Sequence, residues 1–477
     1  MTEKLKIVIP CDTFAPDING AARFAERLAG GLVRHGHEIH IIAPSFDDSF
    51  GTRVEIHDGV EMTVHRLKSF KLPQHKTQRM PTPFGMTGVI RKVLREVNPD
   101  AIHIQSHLVV GRFAVHAAKG MGAKLIATNH IMPENLIKYS LLPKFLHSAA
   151  MKIIWMDAGR ILKKMDSVTT PTRRAAELLE IAADVEDVLA ISCGIDAAKF
   201  ANQTPTQNKQ PVALFLGRLD DEKRINVLLE AVAMLTDHPI LRVELVGDGG
   251  ERENLENLAT KLGIADRVKF LGHVKDDELP GIYERCTVFV MPSIAELQSI
   301  ATMEAMASGR PVIGADAMAL PHLVHDGDNG YLFEPNNSSD LAEKLRLVLE
   351  ADEAELARMS ENSLHLIQAH DIERTLKIFE DLYGGKGDAK PTTLDNDPGY
   401  LVPIGRLPDA VREKLHEWRE DATALRRRAD ELRQEARGRF GEARERLDEV
   451  RAEVREQLSD IKSEVTEAAK KLRRKRD

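Results

Sequence analysis

Short apolar runs alternate with amphipathic stretches through the first part of the chain. The apolar runs have the length of buried strands, and turn residues bound them. Strands are predicted over Leu5–Ile9, His37–Ala43, Val60–Leu67, Ala101–Ile104, Lys124–Ala127 and Ser167–Thr170, and helices over Ala21–His35, Gly88–Val97 and Phe113–Lys119. This alternation predicts a parallel, doubly wound sheet, in which ligands bind beyond the carboxyl ends of the strands.

The alternation stops at a polar run, residues 201–210, and then restarts. Further strands are predicted over Val212–Leu216, Arg242–Val246, Val268–Leu271, Val288–Met291, Val312–Gly314 and Gly330–Phe333, with helices over Ile225–Leu235, Glu251–Leu262 and Ile372–Leu382. The pattern therefore predicts an α/β protein with two doubly wound, Rossmann-like domains, residues 1–200 and residues 201–370.

The last part of the chain has a different character. Residues 384–407 are rich in glycine, proline, threonine and aspartate, as linkers are. Residues 408–477 predict a long charged helix whose apolar positions recur every 3.6 residues or roughly so, the period of a straight helix. Three interpretations stay open: self-association, contact of the basic end with an anionic membrane, and a solvated single helix rich in charge pairs.

Composition narrows the class of protein. Hydrophobic residues make up 43% of the 477 and charged residues 29%, which indicates a soluble globular protein with large cores. The net charge of −8 gives no reason to expect nucleic acid as a partner. Three widely spaced cysteines form neither a metal motif nor a disulfide framework. Because no apolar run has the length of a signal peptide or a membrane span, we expect a cytoplasmic protein, with membrane contact left open.

Two carboxylates mark the segment after the predicted strand Val288–Met291. Glu296 lies in a loop, and Glu304 lies in a helix that stops at Gly309. A helix N-terminus binds an anion through its backbone N–H groups, while carboxylates on either side accept hydrogen bonds from hydroxyls. A nucleotide sugar offers that order of groups: hydroxyls, diphosphate, hydroxyls. An ordinary strand–loop–helix unit with two solvated glutamates fits the bare spacing equally well.

Cations and glycines follow two other strands of the second domain. Arg218 and Lys223 lie five residues apart after Val212–Leu216, where they can clamp a diphosphate from two sides. Two solvent-facing cations would have the same sequence. Gly247 begins a Gly-Asp-Gly-Gly turn that lets a ligand approach the backbone.

The first domain offers its own candidates at strand ends. Asn19 and Gly20 open a helix whose N-terminus can bind an anion, although a plain turn has the same signal. No G-x-G-x-x-G follows the first strand, which disfavours the usual dinucleotide site. His107 and His130 follow two further strands, where a histidine either contacts a ligand or hydrogen-bonds within the fold.

Residues 138–165 interleave aromatic and aliphatic residues with lysine and arginine. Helices that are basic on one face and apolar on the other suit an anionic membrane surface. A pair of core helices with solvated lysines is the alternative. A separate loop adds positive charge through Lys68, Lys71, His75, Lys76 and Arg79.

Taken jointly and in order, these motifs resemble the retaining GT-B glycosyltransferases of family 4, over about residues 5–383. The motifs that carry the likeness are Asp17-Ile-Asn19-Gly20, Thr128-Asn-His130, Gly217-Arg218 with Lys223, and Glu296 with Glu304. The resemblance implies two Rossmann-like domains that face a cleft, and a closing helix, residues 371–383, that crosses back to the first domain. It implies a nucleotide-sugar donor, and neither a metal nor another cofactor.

The resemblance also implies roles for individual residues. Four residues are expected to act in catalysis: His130, Arg218, Lys223 and Glu296. The donor-binding set that it implies is Asn19, Gly20, Gly217, Arg218, Lys223, Gly247, Gln298, Ser299, Ile300 and Glu304. Within these sets His130 and Glu296 meet the transferred sugar, and Glu304 meets the ribose. The backbone N–H groups of Ser299 and Ile300 meet the phosphates.

Two segments depart from the pattern of that family. An aromatic residue and then a glycine are common where this chain has Gln298 and Ser299. The usual Asn-Gly-Val-Asp after the first domain is here Cys193-Gly-Ile-Asp196, which leaves the polar role of that asparagine unfilled. The sequence assigns no chemistry to Cys193.

The likeness extends to enzymes that act on lipids. The segment Glu296-Leu-Gln-Ser299 and the basic-aromatic residues 138–165 are similar to diacylglycerol glucosyltransferases, which favours transfer from UDP-glucose to a membrane lipid such as diacylglycerol. A GDP-mannose-dependent lipid α-mannosyltransferase is the alternative, and a non-catalytic membrane scaffold is a third. We expect a cytoplasmic protein that is peripheral on the inner face of the cell membrane.

Overall fold

The computed structural model describes residues 4–17, 19–71, 79–131, 147–201 and 210–384. Within these ranges the chain forms an eight-stranded sheet, a six-stranded sheet and a two-stranded ribbon. Backbone contacts divide the whole chain into residues 1–405, which hold both large sheets, and residues 406–477. The predicted linker 384–407 (from residue 385 on), the predicted tail 408–477 and residues 138–146 of the basic-aromatic segment lie outside the described residues.

The first sheet has the strand order β10-β9-β8-β7-β1-β2-β4-β3, and all pairs are parallel except β3 with β4. Its strands are β1 (Lys6–Pro10), β2 (Glu38–Pro44), β3 (Gly51–His57), β4 (Val60–Leu67), β7 (Ala101–Ile104), β8 (Lys124–Thr128), β9 (Ser167–Thr170) and β10 (Leu189–Ala190), and the ribbon is β5 (Ser69–Lys71) with β6 (Arg79–Pro81). The helices of this domain are α1 (Gly20–Arg34), α2 (Met86–Val97), α3 (Val109–Ala117), α4 (His147–Leu162) and α5 (Arg173–Ala183).

The second sheet is parallel throughout, with the order β13-β12-β11-β14-β15-β16. Its strands are β11 (Val212–Leu216), β12 (Arg242–Val246), β13 (Val268–Gly272), β14 (Val288–Met291), β15 (Val312–Ala315) and β16 (Gly330–Phe333). The helices that follow these strands are α6 (Ile225–Met234), α7 (Arg252–Lys261), α8 (Leu279–Arg285), α9 (Ile300–Ala307), α10 (Ser338–Glu350), α11 (Glu353–Ile367) and α12 (Ile372–Gly384). The predicted fold class, two doubly wound parallel-sheet domains, is confirmed.

The strand order locates the ligand-binding edge of each sheet. Strand β1 lies between β2 and β7, and β11 lies between β12 and β14, so the direction of winding reverses at both. At such a reversal the connections leave to opposite faces, which opens a crevice beyond the carboxyl ends of the strands. In the second domain this crevice is bounded by the loops that carry Arg218, Lys223 and Glu296.

Helix α12 follows the second sheet in sequence but packs on the first domain. Its start is tied there by two backbone bonds, from the Ile195 N–H to the His370 carbonyl and from the Ile372 N–H to the Ile195 carbonyl. Leu376 lies against Gly31 of α1, so close that a Cβ on Gly31 would be 2.5 Å from Leu376 Cδ1. At the far end the Tyr383 hydroxyl hydrogen-bonds His103 Nδ1 at 2.7 Å. The helix therefore joins the two sheets into one unit.

Helix α4 forms most of the described part of the basic-aromatic segment, residues 138–165. Trp155, Ile161 and Leu162 are buried, whereas Ile153 is 65% and Met156 is 44% exposed. Much of this helix is thus core, with two apolar side chains on the outside. None of the helices in the described ranges is long and apolar enough to cross a membrane.

Candidate active site

The loop after β14 brings Glu296 to Lys223. The Lys223 Nζ lies 2.5 Å from Glu296 Oε1, and both side chains are largely buried. Lys223 ends a 3-10 turn, Asp221–Lys223, and the Ile294 N–H donates to the carbonyl of Glu222 in that turn at 3.1 Å. The loops after β11 and β14 therefore contact each other. As a result, Lys223, which was predicted to bind the diphosphate, and Glu296, which was predicted to bind the sugar, form one ion pair.

Arg218 is held by two acidic residues that follow it in the same loop. Its guanidinium contacts Asp220 and lies 3.0 Å from Glu222 Oε1. Glu222 is 4% exposed, so its charge would be costly without this partner. The side chain of Arg218 is itself 44% exposed, so the two carboxylates hold its terminal nitrogens while the side chain stays open to solvent.

Two glycines let the loops after β11 and β12 approach closely. A Cβ on Gly247 would lie 1.9 Å from the carbonyl oxygen of Gly217, and Gly247 has a φ of +127°, which disfavours any other residue. The Gly217 N–H in turn donates to the Val246 carbonyl at 2.9 Å. The structure thus shows a packing reason for Gly247, and its predicted contact with the donor stays a prediction.

Glu304 lies on α9, behind the N-cap residue Ser299, whose hydroxyl accepts from the Thr302 N–H. The Glu304 carboxylate is buried, with a 2% exposed side chain. Its Oε1 accepts from Arg27 Nη2 at 2.7 Å, and its Oε2 accepts from the Tyr283 hydroxyl at 3.0 Å. Burial and the neighbouring Glu304 charge raise the pKa of Tyr283 well above its usual value, so this phenol stays protonated and donates.

The start of α1 presents Gly20 to open space. A Cβ added to Gly20 would meet no atom within 4 Å. Asn19 is the N-cap, and its side-chain oxygen accepts from the Ala22 N–H at 2.9 Å. Because the cap uses the Asn19 side chain, what this helix start can offer an anion is its backbone N–H groups and its dipole.

His130 lies at the carboxyl end of β8. Its Nε2 is 3.2 Å from Gln105 Oε1, and its ring packs on Phe24 of α1 with centroids 4.8 Å apart. Burial lowers the pKa of His130 to about 3, so the imidazole is neutral. Burial, reinforced by the Arg112 charge, likewise lowers the pKa of His107 to about 4, and His107 is 1% exposed.

Gln298 turns its amide toward the junction between the domains. Its Oε1 accepts from the Cys193 N–H at 2.7 Å, and its Nε2 donates to Ser192 Oγ at 3.0 Å. The Ser192 hydroxyl is also 2.9 Å from His370 Nδ1. The amide predicted for the donor is therefore engaged by the segment that links the domains, and a donor contact by Ser299 and Ile300 stays a prediction.

Three further residues shape this region but were not predicted from the sequence: Glu222, Arg27 and Tyr283. Glu222 stands directly before Lys223, which is the one local signal for it. Arg27 and Tyr283 reach Glu304 from 277 and 21 residues away, so only the fold brings them together.

Within the described ranges, one set of three side chains could together hold a metal ion: Asp237, His238 and Glu350. This set lies outside the predicted site.

Comparisons with known proteins agree with this architecture. The family model described as "Glycosyltransferase Family 4" matches residues 18–199, and the model "Glycosyl transferases group 1" matches residues 196–365. The solved sucrose-phosphate synthase of Thermosynechococcus elongatus shares the fold, with a TM-score of 0.67 and 20% identity over 80% of this chain and 99% of that one. The chain belongs to the GT-B glycosyltransferases.

Curated relatives of this GT-B glycosyltransferase include enzymes named for two donors or products. A GDP-mannose-dependent alpha-mannosyltransferase of Mycolicibacterium smegmatis is 28% identical, over 69% of this chain and 84% of that protein. An alpha-monoglucosyldiacylglycerol synthase of Acholeplasma laidlawii is 25% identical, over 80% of this chain and 96% of that protein. The resemblance stated from the motifs is thereby confirmed at the level of the family.

Proposed function

We propose that this GT-B glycosyltransferase moves a hexose from a nucleotide sugar to a membrane lipid, with retention of the anomeric configuration. The observation that carries the proposal is the contact between Lys223 and Glu296, 2.5 Å apart in a crevice that Arg218 also borders. The reacting bond joins a diphosphate, which a cation can bind, to a sugar, whose hydroxyls a carboxylate can bind. Lys223 and Glu296 lie side by side and match these two groups.

Charge development on the diphosphate explains why two cations are needed. Breaking the bond between the anomeric carbon and the phosphate oxygen leaves an added negative charge on the leaving group. Arg218 and Lys223, together with backbone N–H groups at the start of α9, stabilise that charge with little reorganisation because neighbouring carboxylates already hold both cations. The ordinary contribution of one such donor is about 10²–10³ in turnover.

His130 and Glu296 orient the sugar in this proposal. A neutral imidazole offers one N–H donor and one acceptor, which suits a sugar hydroxyl. We assign no covalent nucleophile, because Glu296 is paired with Lys223 and Glu304 with Arg27 and Tyr283. Retention then requires the acceptor oxygen to bond the anomeric carbon on the face that the diphosphate leaves.

UDP-glucose is the first donor to test and diacylglycerol the first acceptor. The Acholeplasma laidlawii relative named alpha-monoglucosyldiacylglycerol synthase supports glucose and this lipid class. The Mycolicibacterium smegmatis relative supports a second candidate, transfer of mannose from GDP-mannose to a lipid. Neither donor needs a metal or another cofactor in this proposal.

The deciding experiment is a transfer assay over a panel of nucleotide sugars, with and without lipid extract. The expected result is glucose in the lipid fraction when UDP-glucose is the donor. NMR should show that the new glycosidic bond has the α-configuration. Mannose from GDP-mannose would select the second candidate. If no donor yields transfer or hydrolysis, the protein is better explained as a membrane scaffold that works through its tail.

Lys223→Ala tests the mechanism separately from the substrate. We expect turnover to fall by about 10²-fold or more, while affinity for the free nucleoside changes little, because the lost interaction is made to the diphosphate. Lys269→Ala is the matched control, since Lys269 is an exposed lysine on β13. Near-normal turnover of Lys223→Ala would contradict the assignment.

Membrane contact and self-association are proposed for the tail, residues 408–477, which lies outside the described residues. The Lys/Arg-rich segment from Lys470 to Arg476 would bind an anionic membrane surface on the cytoplasmic side. Truncation after residue 400, followed by liposome flotation and by sizing, separates the two roles. Loss of flotation assigns membrane binding to the tail, and a halved mass assigns it self-association.

A further inference from the structure

Helix α1 of the first domain carries two arginines that reach the second domain. Arg23 and Arg27 are four residues apart and so lie on one face of the helix. Arg23 contacts Asp276 through both terminal nitrogens, at 2.7 and 3.2 Å. Arg27 contacts Glu304, the carboxylate that the proposed function assigns to the ribose, at 2.7 Å. The two ion pairs span the cleft side by side.

The two contacts differ in what they cover. Asp276 is 54% exposed at its side chain, so its pair with Arg23 is an open surface contact. Glu304 is 2% exposed at its side chain, and both of its oxygens are engaged, one by Arg27 and the other by Tyr283. The second nitrogen of the Arg27 fork, Nη1, is buried without a hydrogen-bond partner among the described residues. Arg27 thus covers the carboxylate and is incompletely satisfied where it lies.

We propose that Arg27 is a latch on the nucleotide site: its guanidinium occupies the carboxylate that the two ribose hydroxyls must reach. This inference rests on the proposed function, in which Glu304 accepts hydrogen bonds from the ribose. A ribose that binds Glu304 has to displace Arg27, so part of its binding free energy is spent on breaking a charged hydrogen bond. The latch also ties donor entry to the first domain, because α1 has to shift or Arg27 has to swing away.

Arg27→Leu tests the latch, with nucleoside diphosphates as the probes. UDP and GDP are each compared with their 2′,3′-dideoxy forms by calorimetry. We expect Arg27→Leu to bind the ribonucleotide about tenfold more tightly, the effect of one lost charged hydrogen bond. The dideoxy form, which has no hydroxyls to compete for Glu304, should bind with unchanged affinity.

Arg23→Leu is the matched control, because it removes the neighbouring cross-domain pair and leaves Glu304 covered. It should change neither affinity by more than about twofold. Weaker ribonucleotide binding by Arg27→Leu would overturn the latch and show instead that Arg27 holds the carboxylate ready for the ribose. Unchanged affinity, or an equal gain for the dideoxy form, would overturn it as well.

Glu304→Gln separates failure of the latch from failure of the proposed function. If the ribose contact is real, this variant loses the preference for the ribonucleotide over the dideoxy form. If wild type has no such preference and Glu304→Gln changes nothing, the ribose assignment itself is wrong. Should Arg27→Leu fail to fold, Arg27→Gln keeps a polar side chain and should show a smaller gain of the same sign.

Discussion

The side-chain oxygen of Gln298 lies 2.7 Å from the backbone nitrogen of Cys193, across the junction between the two sheet domains. The two residues lie in the two segments at which the sequence departs from the pattern that the resemblance implies. The amide nitrogen of Gln298 completes the contact by donating to Ser192 Oγ. The two departures are therefore one buried feature, a polar bond between the loop after β14 and the segment that leaves the first domain.

Replacing Gln298 with leucine should destabilise the protein. Leucine has a similar volume but cannot bond the Cys193 N–H, which would be left buried and unsatisfied at a cost of about 1–3 kcal/mol. Urea unfolding measures the loss, and Gln368→Leu, at an exposed glutamine before α12, is the control. Equal midpoints for the two variants would mean that the interdomain bond contributes no stability.

Glu222→Ala should slow transfer without removing any group that touches the donor. Glu222 holds Arg218 Nη2 at 3.0 Å, and without it the guanidinium keeps only its contact with Asp220 and samples orientations that do not face the diphosphate. We expect turnover to fall about tenfold, because loss of positioning is costly even where the cation remains. The KM for the donor should change less than turnover, since the charge of Arg218 still attracts it.

Two comparison variants make that result specific. Asp221→Ala removes a more exposed carboxylate of the same turn, one that contacts Arg224, and should leave turnover near normal. Glu222→Gln keeps a hydrogen-bond acceptor at the same place and should recover part of the loss. If Glu222→Gln is as slow as Glu222→Ala, the charge of Glu222 matters and its geometry does not.

Local patterns predicted most of the architecture but not the contacts across the cleft. Strands β11 and β14 are continuous apolar runs and β7 is apolar except for His103, as expected of parallel strands covered on both faces, and the predicted bounds of all three agree with the structure. Strand β3 was not predicted, because it is an antiparallel edge strand that mixes exposed and half-buried residues. Its register comes from pairing with β4, and no apolar run marks it.

The site shows the same division between local and long-range information. Lys223 and Glu296 are recognisable from their motifs, since each lies in a short loop after a strand. The partner of Glu304 was not predictable, because Arg27 is on another domain and an arginine on a helix face looks solvated in sequence. The orientation of the Gln298 side chain was also not predictable, since a loop residue can point to either side of the cleft.

Gly247→Ala should be strongly destabilising. The added methyl would lie 1.9 Å from the Gly217 carbonyl oxygen, and the positive φ adds backbone strain. Backbone has to move to relieve such a clash, so we expect a loss of about 2–4 kcal/mol by urea unfolding. Gly250→Ala, three residues on and facing open space, is the control and should cost less than about 1 kcal/mol. Similar losses for both would show that the loops after β11 and β12 can separate freely.

The contact between α1 and α12 should depend on pH through His35 and Glu380. The His35 Nδ1 lies 2.7 Å from Glu380 Oε1 and its Nε2 lies 2.9 Å from Glu373 Oε2. His37 contributes from the other side, because its Nδ1 accepts from the Leu5 N–H and its Nε2 therefore donates to Glu380. These hydrogen bonds hold helix α12 against the first domain.

The pKa shifts set the pH range of that stabilisation. Partial burial opposes the charge on His35, but the hydrogen bonds to Glu380 and Glu373 outweigh it and raise the pKa of His35 above 6.5. Burial likewise opposes ionisation of Glu380, and the bonds from His35 and His37 outweigh it and lower the pKa of Glu380 below 4.5. The His35 contribution is therefore complete below its unfolded pKa and is lost as pH rises through the raised pKa. The Glu380 contribution is complete above 4.5 and is lost as pH falls through the lowered pKa.

Unfolding of His35→Gln at two pH values tests this account. We expect the destabilisation caused by His35→Gln to be larger at about pH 6, where the charged imidazole stabilises the folded protein, than at about pH 9, where the charged form is less populated. Urea midpoints measure the difference, and His365→Gln, at an exposed histidine of α11, controls for general pH effects. A loss that is the same at both pH values would mean that His35 acts through neutral hydrogen bonds alone. In that case the contact between α1 and α12 would not depend on His35 ionisation between these two pH values.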